Sequence, residues 1–245
     1  MIFQISTINL VQGFTAIVMV IVALVIGARI SLKYREAKQR AFLGLGIGWF
    51  LLTSPWWSEV VTLIFQEFLG IPVPEGFAVI LSTVLIPATL VIWAYASSLL
   101  IQGKKMQFAF YGVCIYAVIF QITLFVAYFT DYTLLATRPN VGLRTTDLLA
   151  IFLILTLLIF VSLGLIFSIK ATRVGTPETK YKGYFLVMAF ILFLIGSALD
   201  SILSWEGLPI IVPILVRTIQ ISSSVLFYLG YFLPKPLLKK LTSTD

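Results

Sequence analysis

The chain has 245 residues, of which 60% are hydrophobic and only 11% charged, and its formal net charge is +7. Soluble domains carry about 25% charged residues, so this chain has too little polar surface to coat a water-soluble particle. We therefore expect lipid to surround a single membrane domain over residues 1–245, and we expect the basic residues to set orientation rather than bind nucleic acid.

The residue types missing from the chain exclude several chemistries. There is no histidine, which excludes His-ligated haem, His-containing zinc or copper sites and histidine acid–base catalysis. No HExxH, Gly-x-Ser-x-Gly or phosphate-loop motif occurs. Every lysine lies in a predicted loop or tail, so no span offers an amine for retinal. We expect no enzyme activity, no cofactor, no metal and no retinal.

Seven apolar runs follow one another along the chain, each near the roughly 20 residues that a helix needs to cross a bilayer. The runs are continuous rather than alternating, which favours helices over the strands of a barrel. The first run is too long for a signal peptide and is interpreted as a retained span. The sequence predicts an all-α, multi-pass protein of the cell membrane, a seven-transmembrane-helix bundle with spans at 8–30, 41–65, 77–101, 108–130, 148–169, 184–203 and 210–233.

The basic residues predict the orientation of this bundle. Of the 17 Lys and Arg residues, all except Arg138, Arg144 and Arg217 lie at the ends that follow spans one, three, five and seven. The opposite loops carry acidic residues instead. Because basic loops stay in the cytoplasm, the N-terminus is predicted outside and the C-terminus in the cytoplasm. The acidic residues on the outer side are Glu67, Glu75, Asp131, Asp147 and Glu206.

The two ends of the chain resemble each other. A shift of 141 positions aligns spans one and two with spans five and six and places Glu59 on Asp200, while a shift of 135 aligns span three with span seven. This predicts a possible 3+1+3 parallel repeat, with span four as the joiner. The alternative is that any two segments made of a basic loop and an apolar helix align tolerably.

Three charged residues fall inside predicted spans, where each costs about 2.5–3.5 kcal/mol on insertion scales. We expect Arg217 to pair with Asp200, and Glu59 to be a second partner or to face a cavity. One interpretation is an outward-facing ligand pocket between spans two, six and seven; the other is that the acids reach the headgroups and Arg217 is a structural tie. The candidate ligand-binding residues are Trp56, Trp57, Glu59, Gln121, Asp200, Ser201, Arg217 and Gln220.

Proline, tryptophan and glycine add local predictions. Pro55, Pro87 and Pro213 predict bends, because proline removes a helical hydrogen bond, and Ser54 is a candidate to satisfy the freed carbonyls. Trp56 and Trp57 are typical of interfacial anchors, with ligand stacking as the alternative. Gly44 and Gly48 have the small-xxx-small spacing of closely packed helices.

Two segments resemble a known family. Leu32-Lys33-Tyr34-Arg35 through Phe42, with the apolar helix that ends at Glu59, is similar to the first two spans of prokaryotic seven-transmembrane sensor-type domains. Such domains occur at the N-termini of membrane histidine kinases and as stand-alone proteins. Tyr181-Lys182-Gly183-Tyr184 through Asp200 resembles their sixth span. About a dozen residues follow the last span, so the resemblance implies that a signal passes to a separate cytoplasmic partner.

Three functions remain open from the sequence. The first is a sensor or receptor that binds a small ligand or lipid at an outer vestibule and signals through that partner. The second is a small-solute transporter with a 3+1+3 repeat, similar to sugar-efflux-type carriers, whose midplane polar groups would be Gln121, Thr89 and the serines of 222–224. The third is an accessory or structural subunit of a larger membrane complex.

Overall fold

The computed structural model describes residues 7–101, 103–138, 142–173, 175–203 and 209–242. Within these residues the protein is helical apart from short connections and one pair of two-residue strands, β1 (Ala136–Thr137) and β2 (Arg144–Thr145), which the sequence did not predict. The α-helices are α1 (Thr7–Ala37), α2 (Arg40–Leu51), α3 (Ser54–Thr62), α4 (Glu75–Thr83), α5 (Ile86–Leu100), α6 (Lys104–Asp131), α7 (Asp147–Arg173), α8 (Pro177–Ile202), α9 (Ile211–Tyr231) and α10 (Lys235–Thr242).

Six helical segments in the described chain are long and apolar enough to cross a membrane. They correspond to the predicted spans one, three, four, five, six and seven, with ends that differ by a few residues, and they give the chain the character of a multi-pass membrane protein. The prediction of an all-helical membrane bundle is confirmed at this level. The six segments are Thr7–Ala37, Glu75–Leu100, Lys104–Leu134, Asp147–Arg173, Pro177–Ser201 and Ile211–Tyr231.

The predicted second span is divided into three pieces. Helix α2 ends at Leu51, α3 begins at Ser54, and a π-helical segment, Leu63–Phe68, continues from α3. The break lies just before Pro55, whose ring cannot be accommodated inside a regular helix. Thr53, rather than Ser54, satisfies a carbonyl here, since its hydroxyl donates to the Phe50 oxygen at 2.7 Å.

The other two prolines behave differently from each other. A second break, between α4 and α5, lies directly before Pro87, where the Thr89 hydroxyl donates to the Leu85 carbonyl at 2.7 Å. Pro213 lies in the first turn of α9, where a missing N–H costs nothing. Helix α9 is therefore uninterrupted, and the bend predicted at Pro213 does not occur.

Six of the helices pack as a ring. In order around the ring, α1 contacts α2, α2 contacts α5, α5 contacts α7, α7 contacts α8, α8 contacts α9, and α9 returns to α1. Helix α6 packs against α5 on the outside of this ring and leaves many apolar side chains exposed, including Phe108 and Phe129. In a membrane these side chains face lipid.

Glycines allow the helices of the ring to approach closely. A methyl group on Gly44 would lie 2.9 Å from Ala96 Cβ of α5, and one on Gly48 would lie 3.5 Å from the Trp93 ring. Gly46 faces the other way, towards Gly27 and Ser31 of α1, where a Cβ would overlap the backbone. Helix α2 thus uses its glycines against both neighbours, as the small-residue spacing predicted for Gly44 and Gly48.

Aromatic side chains fill the middle of the ring. Trp49 of α2 stacks on Phe227 of α9 with ring centroids 3.7 Å apart, and Trp93 of α5 lies 4.3 Å from Phe160 of α7. Phe190 joins the same buried cluster. Stacked and edge-on rings at these separations pack densely, so the centre of the ring is closed at this level.

The charged loops meet at opposite ends of the bundle. At the basic end, Lys33 donates to the Tyr231 carbonyl at 3.2 Å and Arg29 to the Tyr228 hydroxyl at 3.3 Å. At the acidic end, Asn9 donates to Glu67 at 3.3 Å and Tyr132 to Glu75 at 3.4 Å. Of the acidic residues predicted on the outer side, Glu206 lies outside the described residues.

Candidate functional site

A buried ion cluster joins three helices near the acidic end. Arg217 of α9 is 2% exposed, and its Nη2 donates to Glu59 of α3, at 3.1 Å to Oε1 and 2.9 Å to Oε2. Its Nη1 donates to Asp200 Oδ2 of α8 at 3.0 Å. The predicted pair of Arg217 with Asp200 is confirmed, and Glu59 is the second partner.

Two further side chains complete the cluster. Trp56 Nε1 donates to Asp200 Oδ2 at 2.9 Å, and the Arg217 guanidinium carbon lies 5.3 Å from the centroid of the Trp56 ring. Gln220, one turn after Arg217, accepts from its Nη1 at 3.1 Å and donates to Asp200 at 3.4 Å. Trp56 is only 5% exposed, so it packs inside the protein and is not an interfacial anchor.

The cluster does not balance in charge. Two carboxylates, Glu59 and Asp200, share one guanidinium, Arg217, which leaves a formal surplus of one negative charge. Removing charges from water costs several kcal/mol per ion, and only close pairing and hydrogen bonds offset that cost. The surplus negative charge therefore favours a proton or a cation beside the carboxylates.

Gly142, in the connection between α6 and α7, lies against the Glu59 side of the cluster. A methyl group on Gly142 would lie 3.7 Å from the side-chain amide of Gln12 and 3.8 Å from Glu59 Oε1. Gln12 is 2% exposed, and its Oε1 has no hydrogen-bond partner within the described chain. Sequence reasoning missed Gln12, although a glutamine inside the first predicted span was the available signal.

Arg138, which follows β1, contacts the acidic end of α3 and the segment after it. It donates to Thr62 Oγ1 at 2.9 Å, to Gln66 Oε1 at 3.1 Å and to the Val73 carbonyl at 2.6 Å. Burial lowers the pKa of the Arg138 guanidinium from its ordinary value, and the nearby carboxylates of Glu75 and Glu67 oppose that shift. Arg138 therefore holds the end of β1 against the segment that contains Thr62 and Gln66.

Three of the predicted site residues lie away from the ion cluster. Trp57 donates to Thr53 Oγ1 at 3.1 Å and packs on Phe50, with ring centroids 5.2 Å apart. Gln121 lies on α6, the helix outside the ring. Ser201 follows Asp200 on α8, donates to the Ser197 carbonyl at 2.9 Å and is exposed.

A cavity of about 120 Å³ lies inside the ring, beside the cluster. Of the predicted residues, Trp56, Asp200 and Ser201 line it, whereas Arg217, Glu59 and Gln220 are not among its lining residues. The remaining lining residues are mainly apolar and come from α2, α3, α5, α7 and α8: Leu51, Leu52, Pro55, Ile86, Thr89, Leu90, Leu153, Thr156, Leu157, Phe160, Phe193 and Ser197.

Both helix breaks contribute to the walls of this cavity. Leu51, Leu52 and Pro55 belong to the break between α2 and α3, and Ile86 begins α5 directly after the other break. Phe160 and Phe193 belong to the aromatic cluster and close the cavity towards the basic end. The cavity therefore extends from the middle of the ring towards the acidic end.

Polar atoms without partners lie at one end of the cavity. Asp200 uses Oδ2 in the cluster, but its Oδ1 is buried and has no hydrogen-bond partner within the described chain, and the same holds for the Ser197 hydroxyl. Buried polar groups in proteins are nearly always hydrogen-bonded. An unsatisfied carboxylate oxygen and a hydroxyl beside an apolar cavity are thus suited to an added donor group.

Chemically, this arrangement can hold a small amphipathic molecule. The apolar walls suit a hydrocarbon body, and Asp200 with Ser197 suits one polar group at its end. Pockets with mostly apolar walls and a few convergent polar groups are the usual binding sites for small ligands.

No protein-family model matches the chain, and no curated protein matches it.

Proposed function

We propose that the chain is a seven-helix membrane protein of receptor type, in which α2, α3 and the π-helical segment together form the second span. The support is topological. Helix α1 brings the chain to the basic end at Lys33, and α4 starts at the acidic end at Glu75. The chain must cross between them, and residues 40–68 are about 40 Å long at 1.5 Å per residue.

In this proposal the N-terminus lies outside and the C-terminus in the cytoplasm. The basic end then faces the cytoplasm, as basic loops do, and the cavity opens towards the outside near Ser201. The ring also supports the 3+1+3 repeat. Its contact of α5 with α7 is the equivalent of its contact of α9 with α1, and the joiner α6 lies outside the ring.

The ligand of the proposed receptor is a small amphipathic molecule or lipid that occupies the cavity. The observation that carries this proposal is that Asp200, which has a carboxylate oxygen without a partner in the described chain, lines a mainly apolar cavity. Because Asp200 also holds Arg217 of α9, a ligand that binds Asp200 changes the contact between α8 and α9.

The same two helices run to the basic end. There Gly230 of α9 packs closely against Leu186 and the Lys182 carbonyl of α8. A shift of α8 against α9 at Asp200 is thereby transmitted to the basic loops, which a cytoplasmic partner recognises. A ligand shifts such an equilibrium only by its difference in affinity for the two arrangements, and the charged contacts at Asp200 supply that difference.

This function is tested by a binding experiment that includes a variant in which a larger side chain fills the cavity. Small amphipathic compounds are screened against the protein in lipid nanodiscs by thermal unfolding, and Ser197→Phe is compared with Ser98→Phe. Ser197 lines the cavity, whereas Ser98 hydrogen-bonds to Tyr95 on the surface of α5. The expected result is a stabilising compound whose effect is lost in Ser197→Phe and kept in Ser98→Phe. Equal effects in both variants would contradict the proposed site.

A second candidate, a small-solute transporter, is favoured by the two broken helices. Discontinuous helices at the interface between repeats are typical of substrate sites in transporters, and both breaks here line a cavity between the two proposed halves. Uptake of the bound compound into proteoliposomes separates the candidates. A receptor binds the compound without moving it, whereas a transporter accumulates or exchanges it and Ser197→Phe abolishes the flux.

A further inference from the structure

The charge of the ion cluster restricts what the cavity can bind. Glu59 is paired on both oxygens with Arg217, whereas Asp200 contacts Arg217 through Oδ2 alone. The carboxylate oxygen of this negatively charged cluster that has no hydrogen-bond partner within the described chain is therefore Asp200 Oδ1. A second arginine at the acidic end, Arg138, is bound to Thr62, Gln66 and Val73 instead.

The free oxygen selects the polar group of the ligand. A carboxylate oxygen accepts hydrogen bonds and cannot donate one, so a second carboxylate or a phosphate would meet like charge there. A hydroxyl would satisfy the hydrogen bond but leave the surplus charge buried. An ammonium group satisfies both, because a charge-assisted hydrogen bond is about twice as strong as a neutral one.

The walls of the cavity suit the rest of such a molecule. Three aromatic side chains, Trp56, Phe160 and Phe193, line it among aliphatic ones. Aromatic faces attract cations as well as apolar groups. A volume of about 120 Å³ is near the roughly 150 Å³ of protein cavities that bind benzene, so the body of the ligand is small.

We infer that the cavity binds a lipophilic amine, with its ammonium group on Asp200 Oδ1 and the Ser197 hydroxyl and its hydrocarbon body among the apolar walls. This inference rests on the proposed ligand-binding function of the cavity and names its ligand class. The amine neutralises the surplus charge of the Glu59–Asp200–Arg217 cluster, which links binding to the contact between α8 and α9.

Three probes of equal chain length test the inference. Hexylamine, hexanol and hexanoate are titrated onto the wild-type protein in nanodiscs of zwitterionic lipid, with empty nanodiscs as the control for partitioning, and binding is measured by calorimetry. Hexylamine is expected to bind at least tenfold more tightly than hexanol, and hexanoate is expected not to bind. In Asp200→Asn the preference for the amine should fall to parity, while Glu67→Gln, which alters a carboxylate bonded to Asn9, keeps it.

The outcomes separate the inference from the function on which it rests. Equal affinities for hexylamine and hexanol in the wild type, both lost in Ser197→Phe, would overturn the inferred preference for an amine. The proposed ligand-binding function of the cavity would then still stand. Hexylamine binding that survives in Ser197→Phe would place the amine elsewhere. No binding of any probe would count against both. The wild-type comparison decides the matter even where Asp200→Asn does not fold.

Discussion

Arg217 is the residue on which the interior of the bundle depends. Its guanidinium is nearly fully buried and is held by two carboxylates and one amide oxygen on three helices. A planar guanidinium presents five donors in fixed directions, which a lysine cannot reproduce. Arg217 thus stabilises the contact of α9 with α3 and α8 at one point.

Loss of this side chain leaves two carboxylates without a counter-charge. Arg217→Leu is expected to destabilise the protein by about 3–5 kcal/mol, the usual cost of removing one partner from a buried pair. Denaturant titration in one detergent measures the loss. The variant that also carries Glu59→Gln and Asp200→Asn should recover much of it, because the buried charges are then gone. Equal stability of Arg217→Leu and the wild type would contradict the buried pairing.

The two adjacent tryptophans offer a matched comparison. Trp56→Phe removes the donor to Asp200, whereas Trp57→Phe removes a donor to the neutral Thr53 hydroxyl. Hydrogen bonds to charged groups contribute about 1.5–3 kcal/mol and neutral ones about 1 kcal/mol. Thermal unfolding should therefore show the larger loss for Trp56→Phe. A larger loss for Trp57→Phe would mean that the interfacial role outweighs the cluster.

The free-energy cost of a buried charge was enough to predict that Arg217 has a charged partner, but not to predict all the contacts of the ion cluster. A charged residue inside a span needs a partner of opposite charge. Asp200 was predicted as the partner of Arg217 because it lies on the preceding span, at the same end. Gln12 and Gly142 could not be placed in the same way. Gly142 approaches both Gln12 and Glu59 across long stretches of chain, and nothing in the local sequence pattern predicts this approach.

Among the elements, the broken second span has the clearest physical cause. The apolar run from residue 41 to 65 is continuous in composition, but Pro55 prevents a continuous helix. Proline in the sequence predicted a bend at Pro55 and at Pro87, and the structure interrupts the regular α-helix just before both. Whether a neighbouring hydroxyl then bonds to a carbonyl, as that of Thr53 does with Phe50, depends on side-chain conformations that the sequence pattern does not report.

The glycines of α2 provide the test of helix packing. Gly46→Ala is expected to be strongly destabilising, because its Cβ would overlap Gly27 and Ser31 of α1. Gly48→Ala adds the same methyl group to the same helix at an ordinary contact distance of 3.5 Å from the Trp93 ring, and it should be tolerated. The yield of folded protein after gel filtration, with the thermal unfolding temperature, measures both. The account of α1–α2 packing fails if the two variants behave alike.

For the whole molecule, the ring of six helices is what creates a cavity in a chain with so few polar residues. The apolar runs and the alternation of charged loops were sufficient to predict a helical membrane bundle. They could not predict which helices are neighbours, and therefore not that α2, α3, α5, α7 and α8 line the cavity or that α6 lies outside the ring. Neighbour order depends on close contacts such as that of Gly164 with Phe190, which periodicity does not encode.

The central claim is that this cavity opens to the outside of a membrane bundle whose basic end is cytoplasmic, and labelling of single cysteines in intact cells tests it most directly. Cys114→Ser removes the single native cysteine, and a new cysteine is placed at Ser201 on the cavity rim, at Ile154 on the exposed apolar face of α7, or at Thr242 in α10. A membrane-impermeant thiol reagent should label position 201 in intact cells, position 242 only after permeabilisation, and position 154 in neither. Labelling of position 242 from outside, or of position 201 only after permeabilisation, would contradict the account.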